Sequence, residues 1–337
     1  MDEQVVTMIS EMVAKAKAAQ KEFESFSQEQ TDEVVRAIGK VIYDRAEELA
    51  RMACEESGMG VYEDKVAKCH GKSKCIWNSL KGKKSVGIIG EDKETGIIRV
   101  AKAKGVIGSV TPVTNPVVTP MCNAMFALKG QNAIIIAPHP RTQNVNKYVV
   151  DLFRAELAKL GAPVDLIQTV EKSSIDATNA LMQSVDVVVA TGGAGMVKSA
   201  YSSGKPALGV GPGNVQVIVD RGVELDDAIP KIISGRIFDN GIICSGEQCV
   251  LLPKESFDRA IEIFKKNHVF YVDDAATAKK FADAIFPDNG PINRKVVGQS
   301  VQTIAAIAGV EVPADTKMIL IKARSIGRGE PLCREKM

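Results

Sequence analysis

The stretch Gly105-Val106-Ile107-Gly108-Ser109-Val110-Thr111-Pro112-Val113-Thr114-Asn115-Pro116 decides the fold. Its first half is a short apolar run rich in β-branched residues, the composition of a strand. Its second half, with two prolines, is a turn. From here one rhythm repeats. Further strands are expected at Ala133–Ala137, Asp165–Val170, Asp186–Ala190 and Val215–Val219. Helices at about 116–129, 142–160, 174–184 and 194–203 separate them. Near-continuous apolar strands alternating with helices predict a parallel sheet covered on both faces. Ligands bind such sheets at the carboxyl ends of the strands.

Upstream, residues 3–23 and 27–56 read as amphipathic helices. The second opens on a capping box, Ser27-Gln28-Glu29-Gln30, and places Val34, Ile38, Val41, Ile42, Leu49 and Ala53 on one face. Gly58-Met59-Gly60 stops it, and a third helix over 62–80 carries Trp77, a residue type most often used as a core anchor. These helices read as scaffold. Ser85–Ile89 and Ile97–Lys102, around the charged turn 91–96, predict a hairpin. An exposed edge of that kind invites pairing with another subunit. After Asp220 the pattern restarts, with a helix at about 223–239 and strands at Cys249–Leu252, Val269–Val272 and Met318–Lys322. Helices over 255–267, 274–285 and 297–308 lie between those strands. The chain therefore divides into 1–84 with 105–219, a hairpin at 85–104, and a second α/β domain over 220–337.

Composition narrows the function. Forty-three basic and 41 acidic residues leave a net charge of +2, which argues against a nucleic acid or a membrane surface as the main partner. No apolar run approaches membrane-spanning length and no signal core follows the acidic N-terminus, so the predicted compartment is the cytoplasm. Seven cysteines without a Cys-x-x-Cys give no disulfide framework. Cys69, His70 and Cys75 lie on one predicted helix without a second close pair, so no metal site is expected.

The strand ends are the candidate binding positions. Asn115, where the first strand turns into a helix, either caps that helix or offers its amide to an oxyanion. The second strand ends in Ala137-Pro138-His139-Pro140-Arg141, with no acid for a ribose 2′-hydroxyl and an arginine that can hold a 2′-phosphate. The fourth ends in Thr191-Gly192-Gly193-Ala194-Gly195, where a phosphate can approach helix N–H groups. Leu208-Gly209-Val210-Gly211-Pro212-Gly213-Asn214 reads as a constrained loop with room for a ligand beside it. In Asp239-Asn240-Gly241-Ile242-Ile243-Cys244-Ser245-Gly246, a cysteine stands between two glycines that put no side chain in a substrate's way. A cysteine there is either a small packed hydrophobe or an approachable nucleophile.

Several of these stretches, in this order, resemble the aldehyde dehydrogenases, and within them the CoA-acylating branch. The resemblance runs through Glu56-Ser57-Gly58-Met59-Gly60-Val61-Tyr62-Glu63-Asp64-Lys65, Gly105–Gly108, Thr114-Asn115-Pro116, Ala137-Pro138-His139-Pro140 and Ala190-Thr191-Gly192-Gly193. It continues through Tyr201–Pro206, Gly211–Asn214 and Asp239–Cys244, and covers essentially the whole chain. It implies two Rossmann-type α/β domains with parallel sheets plus an oligomerisation hairpin. The first domain would bind the nicotinamide cofactor and the second would carry the catalytic cysteine. Cys244 matches the family's nucleophile, and Asn115, with the cysteine's own N–H, matches its oxyanion hole. Thr111, Pro112, His139, Pro140, Arg141, Thr191, Gly192, Gly193, Gly195, Gly211 and Gly213 fall at cofactor positions. Glu335 matches the glutamate that holds the nicotinamide ribose.

Departures from the family pattern sharpen the chemistry. Hydrolytic members carry a glutamate that activates water, whereas Ala207–Gly213 holds no acid. Coenzyme A is therefore the expected acceptor of the acyl group, since a thiol ionises more easily than water. Histidine and arginine near the second strand's end favour NADP, with NAD possible. The segment from Pro116 to Met125, with Ser245 after the cysteine, looks most like the succinate-semialdehyde enzymes of the branch. Ser245 either hydrogen-bonds a substrate carboxylate or serves as a turn residue. The alternatives are an acetaldehyde or other short-chain acylating enzyme and a non-catalytic truncated subunit. The family's chain continues beyond the position matching Met337, so the catalytic domain is expected to lack its C-terminal part. The implied assembly is a homo-oligomer, dimer or tetramer.

Overall fold

The computed structural model describes residues 2–211, 213–327 and 329–335. They form two compact units, one of residues 1–57 and 65–211, the other of 58–64 and 212–337.

The first unit begins with helices α1 (Glu3–Phe23), α2 (Gln28–Asp44), α3 (Ala46–Ser57) and α4 (Tyr62–Leu80). The capping box at Ser27 is present, with the Ser27 side chain and the Gln30 side chain each bonded to the other's backbone N–H. The single helix expected over 27–56 is two helices. They break at Arg45, whose φ of −110° leaves the helical region. The Arg45 guanidinium donates to Glu48 and to the Tyr148 hydroxyl, contacts that no glycine or proline announces. Next comes an antiparallel hairpin, β1 (Ile88–Asp92) and β2 (Ile97–Val100). Its first strand lies about three residues later than expected, because Asp92 closes the turn by accepting from the N–H groups of Glu94 and Thr95. Ile88, Ile97, Ile98 and Val100 on it are all more than half exposed.

The sheet expected from residue 106 onward is there. Its elements are β3 (Val106–Val110), α5 (Val118–Lys129), β4 (Ala133–Ala137), α6 (Gln143–Lys159), β5 (Ile167–Thr169), α7 (Ile175–Ser184), β6 (Val187–Thr191), α8 (Ala194–Tyr201) and β7 (Ala207–Val210). Five parallel strands run in the order β5-β4-β3-β6-β7. β3 and β4 are buried throughout. Helices α1 and α7 pack together, and α2 packs on α5 and α6. Phe23 and Phe153 are fully enclosed in this core, each contributing roughly 1.5–3 kcal/mol by burial.

One strand assignment is corrected. The edge of this sheet is Ala207–Val210, part of what reads as a loop, and not Val215–Val219. Gly209 misleads the reading because its role is packing. A Cβ there would lie 2.8 Å from the Tyr201 ring and from Val197, so glycine lets α8 lie flat on β7.

The second unit contains β8 (Val215–Ile218), α9 (Leu225–Ile237), β9 (Glu247–Leu251), α10 (Phe257–Lys266), β10 (Val269–Val272), α11 (Ala275–Ile285), α12 (Val301–Ala308) and β11 (Met318–Ile321). β8 pairs in parallel with β9, and β10 with β11. That pairing puts residues 215–218 in the second unit, so the units divide at 211/212 where the sequence suggested 219/220. The last helix begins at Val301, later than the expected 297, capped by the Ser300 hydroxyl. Ile229, Ala260 and Phe264 centre one core of this unit, and Phe281 and Val296 another. Among the described residues no helix is long and apolar enough to cross a membrane.

Candidate active site

In the first unit, the strand order reverses between β3 and β6, which is where open α/β sheets bind ligands. Thr111 and Pro112 leave the end of β3, and Thr191, Gly192 and Gly193 leave the end of β6. These two groups therefore flank the switch point. The Thr111 Oγ1 atom is buried without a hydrogen-bond partner. An orphaned hydroxyl at this position suits a ligand that would satisfy it. Gly193 caps α8 without a side chain, and a Cβ on Gly193 or Gly195 would meet nothing within 4 Å. The N-terminus of α8 is thus open to a phosphate. Gly211 follows β7, and Pro212 lies outside the described residues.

At the end of β4, the His139 Nδ1 atom accepts from the Arg141 N–H at 3.1 Å, which shapes the turn Pro140–Thr142. The Arg141 guanidinium donates to the Ser57 carbonyl. The sequence shows no acid here, but the fold supplies one. Glu56, at the end of α3, accepts from the N–H groups of Asn144 and Val145 at 2.9 and 2.7 Å. This carboxylate occupies the N-terminus of α6, where the helix dipole favours it.

Asn115 is not the N-cap of α5, and Val117 holds that place without a side-chain bond. The Asn115 Oδ1 atom accepts from the Lys68 ammonium at 2.7 Å, and its Nδ2 lies 3.3 Å from Thr114 Oγ1. Lys68 comes from α4 and is only 5% exposed. With Thr114, Asn115, Pro116 and Val117 it lines a pocket of about 20 Å³, room for about one water. Read as scaffold, α4 gave no hint of this. The available signal was Lys65 and Lys68 on the face that also carries Cys69 and Ser73, all four of them buried.

Cys244 belongs to the second unit and is exposed, on the turn that precedes β9. The fold disposes of the packed-thiol alternative at this position. Upstream of it the backbone enters the left-handed region three times running, with φ of 52° at Asp239, 53° at Asn240 and 75° at Gly241. Each such residue other than glycine costs of order 1 kcal/mol and must be held. Asp239 is completely buried, and its Oδ1 accepts from the Val61 N–H at 2.7 Å. Its own N–H donates to Asp64 Oδ2 at 2.7 Å. The Asn240 amide and the Gly60 N–H both donate to the Gly298 carbonyl. These bonds explain why residues 58–64 group with the second unit. Gly241 faces the Arg236 guanidinium, from which a Cβ would stand 3.0 Å. Burial pulls that guanidinium below its ordinary pKa, while Glu247 pulls the other way. Ser245 is exposed beside the thiol. The Gly246 N–H closes the turn on the Ile243 carbonyl at 2.9 Å.

Of the three histidines, only His268 lies in the second unit, where its Nδ1 is 2.6 Å from Asp315. Glu335 is also in the second unit. Burial raises its carboxyl above the ordinary value, against the lowering effect of a bond from the Gly213 N–H. Lys336 and Met337 beside it lie outside the described residues. No disulfide joins the cysteines, and no group of three or more potential metal ligands occurs among the described residues.

Comparison with known proteins gives the family. Residues 3–284 match the model of the aldehyde dehydrogenase family. The chain is 57% identical over 329 residues to the succinate-semialdehyde dehydrogenase (acetylating) of Clostridium kluyveri, covering 98% of this chain and 72% of that one. The crystal structure of an acetylating aldehyde dehydrogenase from Geobacillus thermoglucosidasius superposes with a TM-score of 0.94 at 36% identity, over 99% of this chain and 74% of that one. Rhodopseudomonas palustris propionaldehyde dehydrogenase, solved with bound propionyl-CoA, superposes with a TM-score of 0.83 at 34% identity, over 96% and 71%. The chain belongs to the aldehyde dehydrogenase family.

Proposed function

We propose that this chain is a CoA-acylating aldehyde dehydrogenase that interconverts succinate semialdehyde and succinyl-CoA through a thioester on Cys244. The observation that carries the reading is an exposed thiol on a tightly held turn, in a chain whose 207–213 segment has no acid to activate water. The Cys244 thiolate forms a bond to the aldehyde carbon, and the carbonyl electrons move onto oxygen. The Asn115 Nδ2 and the Cys244 N–H donate to that oxyanion. A nicotinamide cofactor at the carboxyl ends of β3, β4 and β6 supplies the hydride acceptor. As hydride leaves with its electron pair, the carbonyl re-forms and Cys244 holds a thioester. The CoA thiolate then displaces the Cys244 thiolate, a good leaving group toward another thiol.

The similarity to the Clostridium kluyveri enzyme supports the substrate, and the exposed Ser245 hydroxyl is our candidate contact for its carboxylate. NADP is the proposed cofactor, with NAD accepted. Arg141 is exposed in the turn before α6, while the Glu56 carboxylate already accepts from the N–H groups of Asn144 and Val145. Glu335 is proposed to hold the nicotinamide ribose. The exposed isoleucines of β1 and β2 support a homo-oligomer joined through this hairpin, and the cytoplasm is its proposed compartment. The test is NADPH formation by the protein from succinate semialdehyde, acetaldehyde or butyraldehyde, with and without CoA. We expect succinate semialdehyde to be preferred and turnover to require CoA. Equal rates without CoA would remove the acyl-transfer reading.

A further inference from the structure

Asn115 can serve an oxyanion only through its NH₂ end, because its other end is an acceptor and would repel the charge. A side-chain amide can be turned end for end at little steric cost, so something must set its direction. Lys68 does this. An ammonium has three donors and no acceptor, so the atom 2.7 Å from it has to be the amide oxygen. The NH₂ end is then left to face Thr114 and the space beyond.

The setting strengthens the contact. Lys68 is 5% exposed, and it reaches Asn115 from α4, 47 positions earlier in the chain. A charge-assisted bond in such surroundings is worth about twice a neutral one. The polarity also helps directly, since a cation on the oxygen draws electron density from the amide and makes its N–H bonds better donors.

We infer that Lys68 is a positioning residue of the reaction, which locks the Asn115 amide with its NH₂ end toward the developing oxyanion. This rests on the proposed role of Asn115, and the experiment separates the two. Lys68→Met keeps the length of the side chain and removes the donor, and Lys68→Arg keeps a donor. Both are made in the wild-type and Asn115→Ala backgrounds, and kcat and the KM for cofactor are measured. Lys68→Met should lower kcat by roughly 10–100-fold, somewhat less than the loss of an oxyanion donor itself, with the cofactor KM unchanged. Lys68→Arg should recover part of the loss. In the Asn115→Ala background, Lys68→Met should cost less than about twofold, because the residue it orients is gone. Melting temperatures of the same proteins show whether folding is intact, and a non-additive kcat among equally folded variants is not what a merely structural lysine would give.

Losses that multiply in the double variant, or a Lys68→Met enzyme with wild-type kcat, would overturn the inference and leave the proposed function standing. If Asn115→Ala alone keeps full kcat, the oxyanion reading falls, and the role of Lys68 falls with it.

Discussion

Two turns carry the candidate chemistry, and they are held in different ways. The turn after β3 bears Asn115 and leaves a central strand buried along its length. Its geometry follows from the sheet, and the one thing left to fix is the direction of an amide, which a single lysine settles. The turn before β9 bears Cys244 and leads into a two-stranded sheet. It has no rigid platform, so its backbone is bent into three left-handed residues and tied by Asp239, Asp64 and Asn240. A group that donates to an oxyanion needs orientation, whereas a nucleophile needs position. The stronger restraint is placed on the nucleophile.

Two very different thiols lie on the turn before β9 and on α5, the helix that follows the Asn115 turn, and the largest expected effect lies there. Cys122 follows Asn115 on α5, and burial pushes its thiol up to about 11. Relative to an ordinary thiol that is about a hundredfold less thiolate at neutral pH. Iodoacetamide at pH 8 should therefore modify Cys122 on the order of 100-fold more slowly than an ordinary thiol, and the exposed Cys244 faster than Cys122. Because the folded value is raised, the neutral thiol is the form favoured by folding. Cys122 labelling should thus stay slow until the pH nears 11. Comparable rates at pH 8, read by peptide mass mapping, would erase the contrast between an exposed and a partly buried thiol.

A smaller effect tests the restraint itself. Asp239→Ala strands the Val61 N–H and leaves alanine in a left-handed conformation, at a cost of ~3 kcal/mol in unfolding free energy measured by chemical denaturation. Asp239→Asn, which keeps an acceptor oxygen, should recover more than half of it. A loss under ~1 kcal/mol for the alanine variant would mean that the turn is held elsewhere. The mildest contrast compares glycines of the two units. Gly241→Ala, at φ 75° and 3.0 Å from Arg236, should cost roughly 1–3 kcal/mol. Gly193→Ala, in open space, should change stability by less than ~0.5 kcal/mol. It should still raise the KM for cofactor if a phosphate approaches the backbone there. Equal destabilisation by both would remove the distinction.

Much of the architecture was legible because it depends on local pattern. Apolar strands at 106–110 and 133–137, the helices between them and the Ser27 capping box follow from periodicity and from side-chain chemistry within a few residues. Where the reading slipped, the deciding contact was distant. Gly209 looked like a loop residue because glycine usually marks a turn, whereas here it makes room for Tyr201 and Val197. Residues 215–218 looked like a fifth strand of the first sheet because strand propensity does not name a partner, and the partner is 247–251. Nothing near Arg45 marks the break between α2 and α3, since Tyr148 lies about a hundred residues away.

The candidate site divides along the same line. By itself the sequence determined which residue types stand at the turns: a cysteine between glycines, an asparagine after the first strand, glycines at a helix start, and no acid over 207–213. These are covalent facts that no folding can alter, and with the family resemblance they set the reaction class. Only the tertiary structure decided that Cys244 is exposed and Cys122 partly buried. It also brought Glu56 to the start of α6, Lys68 to the oxygen of Asn115, and Val61 and Asp64 to Asp239. Each of these depends on where a partner arrives from far along the chain. A hydrogen bond of under 3 Å cannot be inferred from residue types when its two ends are 47 or 178 positions apart.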